Sequence, residues 1–128
     1  MSMLRSRVIL SAFTLACLAV VFAAAACESG PKAVQVTHYY KPGCAVCEEL
    51  KPAIAGLAQE FPGQVEVNHL EATTPESRQD IERLEFREEG LVVRDHRGAV
   101  LIKQADHGIN LDEVRTTLQQ YFETQSGG

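Results

Sequence analysis

Hydrophobic positions along this chain switch repeatedly between a period of two and a period near 3.6, and the switches outline a mixed α/β domain. Val34-Gln35-Val36-Thr37-His38-Tyr39-Tyr40 is rich in β-branched and aromatic residues and reads as a strand. From Cys44 to Phe61 the period becomes helical: Leu50, Ile54, Leu57, Ala58 and Phe61 fall on one stripe, and Pro62-Gly63 ends it. Val65 to Leu70 alternates again as a second strand. Thr74-Pro75-Glu76 carries a capping residue, a proline suited to the first helical position and an acid for the first turn. A helix is therefore expected over Ser77 to Arg87, with Ile81, Leu84 and Phe86 inward.

Gly90 to Arg94 and Ala99 to Lys103 form two further strands, joined by the turn Asp95-His96-Arg97-Gly98. A last helix opens at Asn110 or Leu111 and turns Val114, Leu118 and Tyr121 or Phe122 inward. The order is β-α-β-α-β-β-α. A strand-helix-strand start implies a parallel pair with a right-handed crossover, and the closing hairpin adds an antiparallel edge. The folded unit is expected over residues 34–124, with 125–128 as a loose tail.

Cys44-Ala45-Val46-Cys47 lies where the first strand gives way to the first helix. Backbone N–H groups and the helix dipole favour a thiolate on the first cysteine. The second, one turn on, can attack a mixed disulfide and release the partner. A structural disulfide and half of a metal site are the other readings of this spacing.

The amino-terminal pattern is of a different kind. Arg5 and Arg7 precede an uncharged stretch, Val8 to Ala26, which reads as an export signal or membrane anchor. It ends in Ala24-Ala25-Ala26-Cys27, which resembles the lipobox of bacterial lipoproteins, although Ala24 stands where leucine is preferred. That resemblance implies cleavage after Ala26, lipid on Cys27, and a tether over residues 27–33 containing Gly30-Pro31. Cleavage by ordinary signal peptidase and an uncleaved anchor are the alternatives. All three place the domain outside the cytoplasm, where disulfides persist.

The full chain has 12 basic and 17 acidic residues and a net charge of −5. Removing residues 1–26 takes away two of the 12 basic residues and none of the 17 acidic ones, leaving about −7. This charge argues against docking on anionic headgroups, so attachment to the membrane falls to lipid on Cys27. With no tryptophan and no basic cluster beyond the first few positions, nucleic acid is not an expected partner. A hydrophobic share of 45% excludes disorder, and four cysteines are too few for a disulfide-dense scaffold.

The element order, the CxxC after the first strand and Pro52 five residues beyond Cys47 together resemble the thioredoxin family over nearly all of residues 34–124. The resemblance implies a thioredoxin-like α/β fold with a central mixed four-stranded sheet. It also implies a thiol-disulfide oxidoreductase that needs no cofactor, with Cys44 attacking and Cys47 resolving. Its partners would be exported protein thiols and disulfides or another redox carrier.

Several positions depart from the family. Gly43 replaces a tryptophan, and Ala45-Val46 replace Gly-Pro. His38 stands where the family has a buried acid that assists proton transfer, and a neutral imidazole is a suitable base near neutral pH. It could equally be a strand histidine satisfied in the core. In the family, a cis-proline loop faces the CxxC; here that place falls on Glu89, Gly90 and Leu91, preceded by Glu88. Negative charge from Glu88 and Glu89 would oppose a thiolate, whereas Glu48 and Glu49 read as dipole partners in the first helical turn.

Two other functions compete. Without a cis-proline to keep metals off, Cys44 and Cys47 could hold Cu(I) or form half of a zinc site. Alternatively, the fold serves as a non-catalytic interaction domain. His96 and His107, in a turn and a loop, are expected to be solvated.

Overall fold

The computed structural model describes residues 33–128. The export segment 1–26, Cys27 and all of the tether but Ala33 lie outside the described residues. Among the described residues, no helix is long and apolar enough to cross a membrane.

The elements are β1 (Val34–Tyr40), α1 (Ala45–Glu60), β2 (Val65–Glu71), α2 (Pro75–Arg83), β3 (Gly90–Arg94), β4 (Val100–Ala105) and α3 (Leu111–Ser126). They form one sheet in the order β2-β1-β3-β4. β1 runs parallel to β2 and antiparallel to β3, and β3 is antiparallel to β4. This is the expected mixed four-stranded sheet in the expected β-α-β-α-β-β-α order.

Strand alternation distributes the core between the two faces. Val34, Val36, Leu91 and Val93 meet Ile54 and Leu57 of α1 and Val114 and Leu118 of α3. Tyr39 and Val92 point the other way, onto Ile81, Leu84 and Phe86. β3 is covered on both faces, which explains its unbroken run Leu91-Val92-Val93. Asp80 of α2 also ties that helix to the sheet: Arg94 Nη2 donates to both of its carboxylate oxygens at 2.9 Å, and Tyr39 donates its hydroxyl to the same group.

Two element ends differ from expectation. α2 stops at Arg83 rather than continuing to Arg87. Glu85 adopts φ +62°, its N–H donates to the Glu82 carbonyl, and Phe86 N–H reaches back to Ile81. These bonds close the helix in a Schellman turn, and the Phe86–Ile81 contact in the core fixes it. No glycine announces this turn, so the helical period runs on through it. At the other terminus, α3 continues through Ser126, and only Gly127 ends it, so Gln125 and Ser126 belong to the helix and not to a tail.

His38 occupies the inward face of β1 and is 1% exposed. Its Nδ1 shares a hydrogen bond of 3.2 Å with Nδ1 of His69, its parallel partner on β2. Burial and the neighbouring His69 lower the His38 pKa to about 4, with Lys51 and Glu48 of α1 and Glu89 also within electrostatic reach. A histidine kept neutral in the native state, but free to protonate when unfolded, stabilises the fold fully above its unfolded pKa. That contribution declines as pH falls from there toward the folded value. Urea unfolding is expected to show about 2 kcal/mol less stability at about pH 5 than at about pH 7.5 from this histidine. His38→Leu should remove that increment, and an equal acid sensitivity in the variant would refute the assignment.

Candidate functional site

The site is built at the amino end of α1. Cys44 is the N-cap residue, with extended backbone (φ −80°, ψ 109°), and its Sγ accepts the backbone N–H of Cys47 at 3.3 Å. Gly43, at φ +79°, makes the turn that delivers the chain to this cap. An N-cap side chain points across the first helical turn, so the cap geometry itself brings the two cysteines together. Cys44 is half-buried, Cys47 is 4% exposed, and both are free thiols.

Glu89 approaches from the segment just before β3. Its side chain is buried, and Oε2 accepts from Cys47 Sγ at 3.0 Å. Oε1 faces His107 Nε2, also at 3.0 Å. Burial raises the Cys47 pKa to about 12, and its hydrogen bonds to Cys44 and Glu89 add to the effect. The raised pKa favours the thiol form of Cys47, and Glu89 is the carboxyl group in hydrogen-bond contact with it.

Strand pairing positions both Glu89 and His107. Gly90 pairs with Ala105, so the residues just outside this pair face each other across the end of the β3–β4 ladder. The Glu89 carbonyl accepts Asp106 N–H at 2.9 Å, and Glu88 N–H donates to the Asp106 carboxylate at 3.2 Å. Beyond His107, Gln104 accepts the Asn110 N–H at 2.9 Å and donates to Glu113 at 2.8 Å, anchoring the loop to α3. Lys41 pairs with Glu88 at 2.8 Å at the rim. A cleft of about 550 Å³, lined by Arg87, Glu88, Glu89, Asp106 and His107, opens beside the carboxylate.

No known family model matches this sequence, and no curated protein does so either. The architecture does have counterparts among solved structures. Thioredoxin 1 from the thermophilic eubacterium Thermosipho africanus superposes with a TM-score of 0.55 over 72% of this chain and 98% of its own, at 20% identity. The fold is that of thioredoxin. Fasciola hepatica thioredoxin matches 70% of this chain and 82% of its own with a TM-score of 0.55 at 18% identity. Chlamydomonas reinhardtii thioredoxin f2 matches 73% and 83% with a TM-score of 0.56 at 15% identity.

Within this thioredoxin fold, the residues singled out in the sequence fall into two groups. Cys44, Cys47 and Glu89 are brought together. His38 is committed to His69, and its link to the site is electrostatic, through Glu89. Gly90 and Leu91 are buried at the start of β3, with Leu91 in the core, so a substrate would meet backbone there and not the Leu91 side chain. Glu89 likewise points inward, onto Cys47. His107 is 66% exposed at its side chain, as expected of a loop histidine, yet it touches Glu89. The β3–β4 register was the one sequence signal that could have found this contact, because residues flanking a strand pair are neighbours.

Proposed function

We propose that this chain is an extracytoplasmic, membrane-tethered thiol-disulfide oxidoreductase that works through a Cys44–Cys47 dithiol and disulfide. The observation that carries this reading is the placement of the two sulfurs: one half-exposed at a helix N-cap, the other buried one turn behind. Cys44 as thiolate attacks a substrate disulfide; the substrate S–S bond breaks, a Cys44–substrate disulfide forms, and the departing thiolate takes a proton from water. Cys47 then gives its proton to Glu89 and attacks Cys44 Sγ. The Cys44–Cys47 disulfide closes, and the second substrate sulfur leaves. Two electrons pass from the dithiol to the substrate, and the reverse sequence oxidises a partner dithiol. Exported proteins or a second redox carrier are the partners, and the lipobox-like Ala24-Ala25-Ala26-Cys27 supports attachment through lipid on Cys27.

Equilibration in glutathione buffers of graded potential, followed by thiol alkylation and mass measurement, is expected to show one reversible two-electron couple confined to Cys44 and Cys47. Thiols that never close on each other would sink the proposal. Glu89→Gln keeps the shape but not the base. It should slow the resolving step by about tenfold to a hundredfold while leaving the first attack unchanged. Equal slowing of both steps would reassign Glu89. Membrane attachment is tested by labelling with a fatty acid in a bacterial host, where Cys27→Ser is expected to abolish incorporation.

A further inference from the structure

We propose that the reduced protein also binds one zinc ion, held by Cys44 Sγ, the Glu89 carboxylate and His107 Nε2, with solvent at the fourth position. Among the described residues, Cys44, Glu89 and His107 present ligand atoms that all lie within 4.8 Å of one another. Cys47 Sγ donates to Glu89 Oε2 at 3.0 Å, and its backbone N–H donates to Cys44 Sγ at 3.3 Å, so Cys47 holds two of the three ligands in place. A tetrahedral zinc with bonds of about 2.0–2.3 Å requires ligand atoms roughly 3.3–3.8 Å apart. The distance from Glu89 Oε1 to His107 Nε2, 3.0 Å, is a few tenths of an ångström short of that spacing. Small side-chain rotations therefore suffice to admit the ion.

The ligands come from three separate places: the start of α1, the segment before β3 and the loop after β4. A thiol, an imidazole and a carboxylate form a mixed set that suits zinc. Cu(I) prefers sulfur alone, and magnesium and calcium prefer oxygen. Entry is open, because the His107 side chain is 66% exposed and Cys44 half-exposed beside the cleft. Binding displaces the Cys44 proton to solvent, so the ion withholds that sulfur from disulfide exchange while it stays. The inference needs only reduced thiols and does not rest on the redox reading.

The test uses the reduced full-length chain in detergent with zinc chloride alone. One zinc per chain is expected to survive dialysis. Cobalt in its place should give the intense visible bands of a tetrahedral thiolate site. His107→Ala, a change at an exposed side chain, should weaken zinc binding at least tenfold against a competing chelator, and Glu89→Gln should do likewise. Failure to retain zinc would overturn the proposal. So would His107→Ala binding zinc as tightly as the parent, since the metal would then not use this imidazole. A protein that rejects zinc yet shows the reversible Cys44–Cys47 couple loses this inference alone.

Discussion

Cys44→Ser is expected to abolish disulfide reduction, lowering turnover of a model protein disulfide by roughly a thousandfold or more, because a hydroxyl is a far poorer nucleophile than a thiolate. Cys47→Ser should behave differently. Its Cys44 still attacks, but nothing remains to release the product, so mixed disulfides accumulate and can be isolated on a non-reducing gel. The asymmetry follows from the geometry. Cys44 Sγ is half-exposed and bonded to a backbone N–H, whereas Cys47 Sγ is buried beneath it with its proton directed at Glu89. If the two variants exchanged phenotypes, with Cys44→Ser trapping substrate, the attacking and resolving roles would be reversed. Full turnover by Cys44→Ser would remove the dithiol from the reaction altogether.

Gly90→Ala is expected to destabilise the fold by about 3 kcal/mol. At φ +155° the residue lies where side chains rarely go, and an added Cβ would meet the Gln104 carbonyl oxygen and two Phe86 ring carbons at 2.7 Å each. The carbonyl belongs to the neighbouring strand and the ring belongs to the core, so neither can yield cheaply. Relief would shift the start of β3 and carry Glu89 away from Cys47. The urea midpoint should therefore fall, and resolution of mixed disulfides should slow in the fraction that still folds. An alanine variant as stable as the parent would show that the strand end has slack.

Much of this was legible from the spacing of residues. The stripe through Leu50, Ile54 and Leu57 marked a helix, and Ile54 and Leu57 are fully buried in it. The turn Asp95 to Gly98 marked a hairpin, and there the Asp95 carboxylate accepts the N–H groups of Arg97 and Ala99 while Gly98 takes φ +88°. The end of α2 was not legible, because Glu85 holds a left-handed conformation that glycine usually signals, and the Phe86 contact with the core compensates for it. His38 occupied the family's proton-acceptor position in the sequence. Its ring is instead paired with His69 on the adjacent strand, a partner that only the parallel register reveals.

The order of elements, the helix-start placement of Cys44 and the one-turn offset to Cys47 were determined by the sequence alone. Each depends on residues a few positions apart, where hydrophobic period and capping chemistry act directly. Which group accepts the Cys47 hydrogen bond was decided only by the tertiary structure. Glu89 lies 42 residues from Cys47, and His107 lies beyond the following strand. The two meet because the β3–β4 ladder closes between Gly90 and Ala105 and because β3 lies against β1, which leads to the CxxC turn. Strand pairing over such separations is a property of the whole core, so a carboxylate that the sequence placed only in the loop facing the CxxC became the buried partner of a thiol.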